Sequence, residues 1–325
     1  MTNDHLPNPD SAGFVPTNLP TPIHLTVLGG GAWGTVLATL AERAGHQPRI
    51  WSRHLDQNLA EAIPGAEILV SAIAMKGVAE MVQRLQAIQV PATTILVSAT
   101  KGLDPETTKT PSQLWQDAFP QNPIVVLSGP NLSQEIHQGL PTATVVASRD
   151  PEAAKVVQRA FASDRFRVYT NQDPLGTELG GALKNVMAIA IGVCDGLNLG
   201  TNAKAALITR ALPELIRVGT LLGGQSETFF GLSGLGDLLA TCSSTLSRNY
   251  QVGYGLSQGK SLDRVLADLQ GTAEGVNTTQ VLMALAKKRQ IPVPVTGLVY
   301  QLLQGQITPH QAVEALMERD LKSEL

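Results

Sequence analysis

An isolated lysine, Lys184, interrupts a long apolar segment in the second half of the chain. A positioned ammonium group can stabilise a developing negative charge and transfer a proton. Gly180 and Gly181 lie one helical turn earlier, and helical side chains lean toward the N-terminus, so we expect the ammonium to reach over a surface bare of side chains. A lone lysine in a helix is more often a surface residue. Two glycines inside a helix each cost about 1 kcal/mol relative to alanine, which favours a position that a ligand approaches.

A glycine-rich turn near the start of the chain has the spacing G-x-G-x-x-G: Gly29, Gly30, Gly31, Ala32, Trp33 and Gly34. It follows a predicted strand, His24–Leu28, and opens a predicted helix that continues to about Arg43. Gly29 permits the tight turn, Gly31 lets the backbone approach a pyrophosphate, and Gly34 allows the helix and strand to pack closely. The alternative is a turn that binds nothing. The position between a strand and a helix N-terminus favours a dinucleotide site.

The residues after the second predicted strand, Pro48–Trp51, bear on which dinucleotide binds. An NAD site places a carboxylate here to accept hydrogen bonds from the ribose 2′-hydroxyl. Ser52, Arg53 and His54 stand in its place, and the nearest acid is Asp56. Arg53 can pair with a 2′-phosphate and Ser52 can hydrogen-bond it, which favours NADPH over NADH. The other interpretation is that Arg53 and His54 form only a solvated loop.

Apolar strand patterns alternating with helical or turn-rich segments must position these residues. Beyond the first two strands, we predict buried strands at Glu67–Ile73, Thr94–Ala99, Ile124–Ser128 and Thr142–Ala147. After about Asp173 we predict helices at Gly176–Cys194, Ala203–Leu221, Thr278–Arg289 and Pro309–Leu321. The sequence therefore predicts an α/β fold, with a doubly wound parallel sheet of the Rossmann type over residues 23–173 and an all-helical domain over residues 174–325. Turn chemistry between Tyr169 and Gly176 marks the joint.

The composition narrows the class of protein. With 325 residues and 43% hydrophobic content, the chain can bury a large core, and its length favours two domains. A net charge of −3 gives no overall basic field, which argues against nucleic acid as the main partner. The N-terminus has no signal-peptide pattern, and no apolar run reaches the ~20 residues of a membrane span. We expect a cytoplasmic protein with reduced thiols at Cys194 and Cys242, no metal site, and a poorly ordered proline-rich tail over residues 1–22.

A series of short motifs follows the glycine turn in a defined order. They are Ala99-Thr-Lys101-Gly102, Ser128-Gly-Pro130, Phe166-Arg-Val-Tyr169, Gly180-Gly-Ala-Leu-Lys184-Asn185, Gly234-Leu-Gly-Asp237, Ser247-Arg-Asn249 and Glu274-Gly275. Together with the glycine turn they resemble bacterial NAD(P)-dependent glycerol-3-phosphate dehydrogenase, from about residue 23 to the end. Their order and spacing are far more specific than the glycine turn. The resemblance implies NAD(P)H-dependent reduction of dihydroxyacetone phosphate to sn-glycerol 3-phosphate, which feeds glycerophospholipid synthesis, and a homodimer.

The resemblance also implies roles for individual residues. Lys184 matches the proton acceptor of that family, and its ammonium would stabilise and protonate the C2 oxygen during reduction. The implied substrate contacts are Lys101, Gly129, Asn131, Lys184, Asp237, Ser247, Arg248 and Asn249. Together with the residues proposed above, the candidate cofactor contacts are Gly29, Gly31, Ala32, Trp33, Gly34, Arg53, His54, Lys101, Ser133, Arg248 and Glu274.

Several of these residues also have ordinary structural interpretations. Ser247, Arg248 and Asn249 supply a hydroxyl, a guanidinium group and an amide, which suits a phosphate, yet such a triplet is common in loops. Asp237 could be only a helix N-cap, and Glu274 only a solvated turn residue. The sequence leaves these alternatives open.

The chain departs from the family pattern in three places. Only a dozen residues separate Arg53 from Ala66, where the family has a longer stretch, so we expect a strand-helix piece to be missing at the edge of the nucleotide domain. Ala74-Met75 replaces the usual Pro-Ser near the expected nicotinamide. Asn131 replaces the Ser or Thr that follows Gly-Pro, and it still offers a donor and an acceptor.

Two other functions remain open from the sequence. A related two-domain reductase of β-hydroxyacids or ketopantoate also joins a Rossmann unit to a helical domain with a Lys-Asn pair, and the substrate phosphate distinguishes the two. A catalytically idle NADPH-binding sensor is the second alternative. Lys101, Lys184 and Asp237 argue against a sensor, because a sensor needs no proton-transfer group.

Overall fold

A computed structural model describes residues 22–55, 58–269 and 271–318. Residues 1–21 of the predicted tail, Asp56 and the end of the last predicted helix lie outside the described residues. One sheet contains the strands β1 His24–Leu28, β2 Gln47–Trp51, β3 Ile68–Ser71, β4 Ile95–Ser98, β5 Ile124–Ser128, β6 Thr142–Ala147 and β7 Phe166–Asn171. The predicted strands match the first six to within two residues. β7 was not predicted as a strand.

Helices fall into two groups, one interleaved with the strands and one after them. The first group is α1 Ala32–Arg43, α2 Leu59–Ala62, α3 Val78–Ile88, α4 Pro111–Ala118, α5 Ser133–His137 and α6 Pro151–Phe161. The second group is α7 Pro174–Gly196, α8 Gly200–Leu221, α9 Asp237–Cys242, α10 Arg248–Ser257, α11 Leu262–Asp268, α12 Glu274–Arg289, α13 Pro294–Leu303 and α14 Pro309–Met317. The predicted helix after the glycine turn corresponds to α1, and the four helices predicted after about Asp173 correspond to α7, α8, α12 and α14.

The strand order β2-β1-β3-β4-β5-β6-β7 agrees with the loss of a strand-helix piece. The common dinucleotide-binding order is 3-2-1-4-5-6. If the third strand of that order is removed and the others are renumbered along the chain, the order becomes 2-1-3-4-5. This is the order found here from β2 to β5, and it leaves β2 at the edge of the sheet. Pro48 in β2 suits an edge, because proline cannot donate to a neighbouring strand.

The predicted doubly wound parallel sheet is confirmed over β1–β5, whereas β6 runs antiparallel to β5 and β7 runs parallel to β6, so the last two strands run opposite to the first five. The connection between them contains only α5, a helix of five residues. Five residues of helix advance about 8 Å, which is too short to carry the chain back along β5 for a parallel return. The other neighbouring strands are parallel.

Helices cover both faces of the sheet and bury it. Side chains from α1 and α6 form one apolar cluster with the strands, and side chains from α3 and α4 form a second on the opposite face. Three further clusters in the helical half all include residues of α7. The sheet and α7 are therefore the two elements around which the chain packs.

The central helix α7 is apolar along most of its length. Among the described residues it is the one helix long and apolar enough to cross a membrane by length and composition, and 89% of its apolar window is buried within the protein. Such burial is typical of a core helix. The thiols of Cys194 in α7 and Cys242 in α9 are buried and free.

Candidate active site

Several predicted site residues meet at the carboxyl edge of the parallel strands. Gly29 follows β1, Lys101 follows β4 and Gly129 follows β5. α7 packs against β5 and brings Lys184 to the same edge. In open α/β sheets, ligands bind in the crevice outside the carboxyl ends of the strands. The topology therefore places these residues where a ligand is expected.

The glycine turn has the backbone geometry that a pyrophosphate site requires. Gly29 has φ +119°, and a Cβ atom there would lie 2.6 Å from the Ala72 carbonyl oxygen. At Gly34 a Cβ atom would lie 1.9 Å from the Gly29 carbonyl oxygen, whereas at Gly31 it would meet nothing within 4 Å. Gly31 is the N-cap of α1 and provides no side-chain cap to the helix amides. The open surface at Gly31 and the amides behind it fit a bound dinucleotide phosphate.

Arg53 and His54, which are expected beside the adenosine, are both exposed near this turn. The Trp51 carbonyl accepts a hydrogen bond from the Gly29 amide at 2.8 Å, which joins the end of β2 to the turn. Arg53 and His54 are exposed just beyond it, with the Arg53 Nε atom 3.4 Å from His54 Nε2. Three strands separate β2 from β5, so this pair is remote from Gly129.

The remaining cofactor candidates, Ala32, Trp33 and Ser133, lie in the first turns of α1 and α5. Ala32 is exposed at the first turn of α1, while Trp33 is partly buried against the apolar cluster on that face of the sheet. Ser133 is the first residue of α5 and is partly buried.

A buried carboxylate, Asp237, binds two lysines that come from distant parts of the chain. Lys101 Nζ lies 2.5 Å from Asp237 Oδ2, and Lys184 Nζ lies 3.1 Å from Asp237 Oδ1. Lys101 also donates a hydrogen bond to the Gly129 carbonyl at 3.1 Å. Side-chain exposure is 8% for Lys184, 3% for Asp237 and 22% for Lys101. Lys184 is thus the more deeply buried of the two lysines.

Asp237 reaches this position because α9 begins with it. A π-helical turn, Leu232–Gly236, runs directly into α9, and Gly236 donates to the Gly231 carbonyl. Asp237 is the first residue of α9, not its N-cap, and its side chain bonds the lysines. π-Helical turns often occur at functional sites. The simple capping interpretation of Asp237 is therefore wrong.

Thr241 belongs to the same network and was missed in the sequence. It accepts a hydrogen bond from Lys184 and donates one to Asp237 Oδ1 at 3.2 Å. Because Thr241 is four residues after Asp237, the two share one face of α9. That spacing could have identified it once the helix was predicted, but α9 has only six residues and was not predicted.

The expectation that Gly180 and Gly181 leave a bare surface for a ligand is wrong. A Cβ atom at Gly180 would lie 2.8 Å from the Ser233 carbonyl oxygen, and one at Gly181 would lie 2.5 Å from Ser128 Oγ and 3.3 Å from Lys101 Cε. Protein atoms occupy both places. The glycines allow the π-helical turn and the stem of Lys101 to pack directly on α7, so they help to assemble the site.

Burial lowers the pKa of Lys184 from its ordinary value to about 8. This value of the pKa already includes the effect of the Asp237 carboxylate, which raises it, and of the nearby positive charge of Lys101, which lowers it. A lysine with a pKa close to neutral can both give and take a proton under ordinary conditions. This property distinguishes Lys184 from a surface lysine.

The Ser-Gly-Pro-Asn loop after β5 presents two buried polar atoms that lack a hydrogen-bond partner within the described structure, Ser128 Oγ and Asn131 Oδ1. Asn131 Nδ2 donates to Thr144 Oγ1 at 3.1 Å. Gly129 has φ +148°, and a Cβ atom there would lie 2.9 Å from Thr144 Oγ1. Buried polar atoms without partners are costly unless something binds them. The loop is therefore suited to a polar ligand.

The predicted phosphate triplet opens α10, and its three side chains behave differently. Ser247 is the N-cap, and its hydroxyl accepts from the Tyr250 amide at 3.2 Å. Asn249 is buried and links Asn185 Oδ1 at 2.9 Å to the Gly275 amide at 2.8 Å. Of the three, only Arg248 is exposed, and its charge acts on Glu274, while Asn249 fixes α7, α10 and α12 together.

Glu274 joins the helical half to the loop after β3. Its Oε1 accepts a hydrogen bond from the Met75 amide at 3.2 Å. Burial raises the pKa of Glu274, and the Met75 amide, Arg248 and Lys76 act in the opposite direction. The interpretation of Glu274 as a solvated turn residue is wrong, because its carboxylate forms a contact between the two halves.

The described residues contain no group of three His, Cys, Asp or Glu side chains that could hold a metal ion. The polar groups that converge at this site are the ammonium groups of Lys101 and Lys184 and the hydroxyl of Thr241 around the carboxylate of Asp237. Such a donor set suits a phosphorylated ligand and proton transfer.

Known proteins are similar to this chain over most of its length. Family models described as the N-terminus and the C-terminus of NAD-dependent glycerol-3-phosphate dehydrogenase match residues 24–57 and 54–154, and residues 173–314. The glycerol-3-phosphate dehydrogenase (NAD(P)+) of Synechocystis sp. is 63% identical over 307 residues, which cover 94% of this chain and 97% of the relative. That of Acaryochloris marina is 62% identical over 300 residues, 92% of this chain and 97% of the relative.

A solved glycerol-3-phosphate dehydrogenase from Coxiella burnetii has a TM-score of 0.87 at 34% identity and covers 92% of this chain and 100% of that chain. This chain therefore belongs to the NAD-dependent glycerol-3-phosphate dehydrogenase family.

Proposed function

We propose that this chain catalyses the reversible reduction of dihydroxyacetone phosphate to sn-glycerol 3-phosphate, with NADPH as the preferred cofactor and NADH as a second one. The observation that carries the proposal is the buried Lys101–Asp237–Lys184 network at the carboxyl edge of a dinucleotide-binding sheet. The substrate is a small phosphorylated three-carbon ketone, and the product is a precursor of glycerophospholipids.

Lys184 is the proton donor during reduction and the proton acceptor during oxidation. Bound NADPH supplies the hydride that adds to C2 of the ketone. Negative charge then develops on the C2 oxygen, and the Lys184 ammonium stabilises and protonates it. Asp237 holds Lys184 and Lys101 in fixed positions, and Lys101 carries a positive charge at the substrate side of the network.

The phosphate and the cofactor are bound on either side of this network. Arg248 pairs with the substrate phosphate and also approaches the cofactor, since its charge already acts on Glu274. Ser247 and Asn249 contribute at the same end of the substrate, with Gly129 and Asn131 opposite. The glycine turn holds the pyrophosphate, Ser133 and Glu274 contact the cofactor, and Arg53 with His54 selects the 2′-phosphate.

The chain is divided into a nucleotide domain over residues 23–173 and a helical substrate domain over residues 174–325. Asp173 supports a boundary at this point because it is the N-cap of α7, the first helix of the helical domain. Its carboxylate accepts hydrogen bonds from the amides of Gly176 and Gln225, at 2.8 Å each. The enzyme acts in the cytoplasm as a homodimer.

Oxidation of NADPH followed by its absorbance tests the reaction and its substrate class together. Dihydroxyacetone phosphate should support rapid turnover, while dihydroxyacetone and unphosphorylated 2-oxo acids should not. Equal rates with plain and phosphorylated ketones would refute the phosphate site. Binding of NADPH without turnover of any of these ketones would favour the sensor.

A further inference from the structure

A second buried carboxylate, Glu178, lies on α7 six residues before Lys184, and the reaction described above does not use it. Only 1% of Glu178 is exposed. Its carboxylate accepts hydrogen bonds from the Ser98 hydroxyl at 2.6 Å, from the Ser112 amide at 3.1 Å, and from the Ser112 hydroxyl. A buried carboxylate is costly unless it is fully hydrogen-bonded, so this interaction requires an explanation.

The partners of Glu178 belong to the nucleotide half. Ser98 is the last residue of β4, the strand whose following loop carries Lys101. Ser112 is the second residue of α4, whose N-terminal amides favour a negative charge. Glu178 therefore ties the helix that carries Lys184 to the strand end that carries Lys101.

The position of Glu178 on α7 also places it beside the stem of Lys101. Residues three apart on a helix are neighbours on one face, so Glu178 is adjacent to Gly181. Gly181 is where Ser128 Oγ and the methylene groups of Lys101 pack on α7. One face of α7 therefore contacts the ends of both β4 and β5 within one helical turn.

We propose that Glu178 is a positioning residue for the reaction: by binding Ser98 and the N-terminus of α4, it sets the separation of Lys101 from Lys184 on either side of Asp237. This inference rests on the proposed role of Lys184. A contact that only stabilises the fold would leave the pKa of Lys184 unchanged, whereas this inference predicts that the pKa changes when Glu178 is replaced.

The direction of that change follows from the charges that face Lys184. Asp237 and Cys242 face it from α9, and Lys101 faces it from the loop after β4. Asp237 binds Lys184 from α9, independently of Glu178, whereas the end of β4 before Lys101 is tied to α7 through the Ser98–Glu178 hydrogen bond. Weakening that hydrogen bond lets the loop that carries Lys101 shift away from Lys184. Because the charge of Lys101 lowers the pKa of Lys184, loss of the interaction should raise that pKa toward its ordinary value.

Glu214 provides a matched control elsewhere in the helical half. It is 2% exposed, and it accepts hydrogen bonds from the Val295 amide at 2.8 Å and from the Thr296 amide and hydroxyl at 2.9 Å and 2.6 Å. Like Glu178, it caps the N-terminus of another helix that begins with proline. It joins α8 to α13 and does not touch the lysine network.

The experiment compares Glu178→Gln with Glu214→Gln in the full-length enzyme. Glutamine keeps the shape but presents an NH₂ donor to groups that are themselves donors. Both variants should lose thermal stability. Only Glu178→Gln should lower kcat for dihydroxyacetone phosphate, by between about 10-fold and about 100-fold, which is the effect of a misplacement of about 1 Å. Its pH profile for reduction should decline at a higher pH than that of the wild type, while NADPH affinity is retained.

If Glu178→Gln and Glu214→Gln have the same kcat, KM and pH profile as each other, the inference is overturned and Glu178 is a stabilising contact only. If Glu178→Gln does not fold, Ser98→Ala removes the hydroxyl at the end of β4 and keeps the carboxylate on α4. It should shift the pH profile in the same direction with a smaller loss of kcat, and an unchanged profile would again overturn the inference. A wild type without activity on dihydroxyacetone phosphate, or full activity in Lys184→Ala, would instead refute the proposed function.

Discussion

Lys184 and Asp237 are almost completely withdrawn from solvent, whereas Arg53 and His54 lie exposed beyond the end of β2. The reacting end is a closed network in which one carboxylate binds two ammonium groups from different halves of the chain. The nucleotide end is a turn of consecutive residues that acts mainly through its backbone. Removal of a buried charge leaves its partners unpaired, while removal of an exposed charge deletes one contact. The two ends should therefore differ in their response to substitution.

Lys184→Ala should have the largest effect. Loss of a positioned proton-transfer group lowers a rate by 10²–10⁴-fold, so we expect kcat in both directions to fall by about 10³-fold. NADPH binding, measured by fluorescence titration, should stay close to that of the wild type because the glycine turn is untouched. A kcat within about tenfold of the wild-type value would contradict the assignment of Lys184.

Arg248→Ala should have an intermediate effect that appears in binding. A charge-assisted hydrogen bond contributes about 1.5–3 kcal/mol, so KM for dihydroxyacetone phosphate should rise by about 10- to 100-fold. NADPH affinity should weaken as well, because the proposed role of Arg248 includes a contact with the cofactor. Arg264→Ala is the matched control, since Arg264 is an exposed arginine on α11 that pairs with Asp268 at 3.3 Å. Equal KM values in the two variants would remove Arg248 from the phosphate site.

Arg53→Ala should have the smallest effect and should alter cofactor choice alone. An exposed ion pair is weak, so we expect the ratio of kcat/KM for NADPH to that for NADH to fall by about tenfold or less. Arg49→Ala, at an exposed position within β2, should leave the ratio unchanged. The same ratio in wild type and Arg53→Ala would assign Arg53 and His54 to a solvated loop.

The same contrast explains how much of the molecule the sequence could predict. The glycine turn was predictable because its residues are consecutive and because each glycine has a local steric reason. Gly29, Gly31 and Gly34 show the expected positive φ, open surface and close helix–strand contact. The strand edges that carry the site were also predictable, since buried strands have continuous apolar patterns.

The reacting end depends on contacts between residues that are far apart in sequence. Lys101 and Asp237 are separated by 136 residues, and no local pattern shows that they form an ion pair. Gly180 and Gly181 were correctly singled out as unusual, but the groups that fill the space above them come from the loop after β4, the end of β5 and the π-helical turn. Short helices such as α9 carry too few residues for a periodic pattern, so Thr241 could not be placed.

The antiparallel strand β6 is a further case of this limit. Its apolar residues predict a strand at the correct position, yet direction depends on the length of the connection before it. The order of the sheet could be predicted better, because the short segment between Arg53 and Ala66 leaves room for α2 but not for another strand.

The pH dependence of the wild-type enzyme tests the central claim most directly. In the reduction of dihydroxyacetone phosphate, Lys184 must carry its proton, so kcat/KM should be constant at low pH and decline as pH rises through about 8. In the oxidation of sn-glycerol 3-phosphate, Lys184 must accept a proton, so kcat/KM should rise through the same region. Opposite slopes with a common midpoint are the predicted result. Profiles that are flat near pH 8, or a midpoint that persists in the residual activity of Lys184→Ala, would contradict the account.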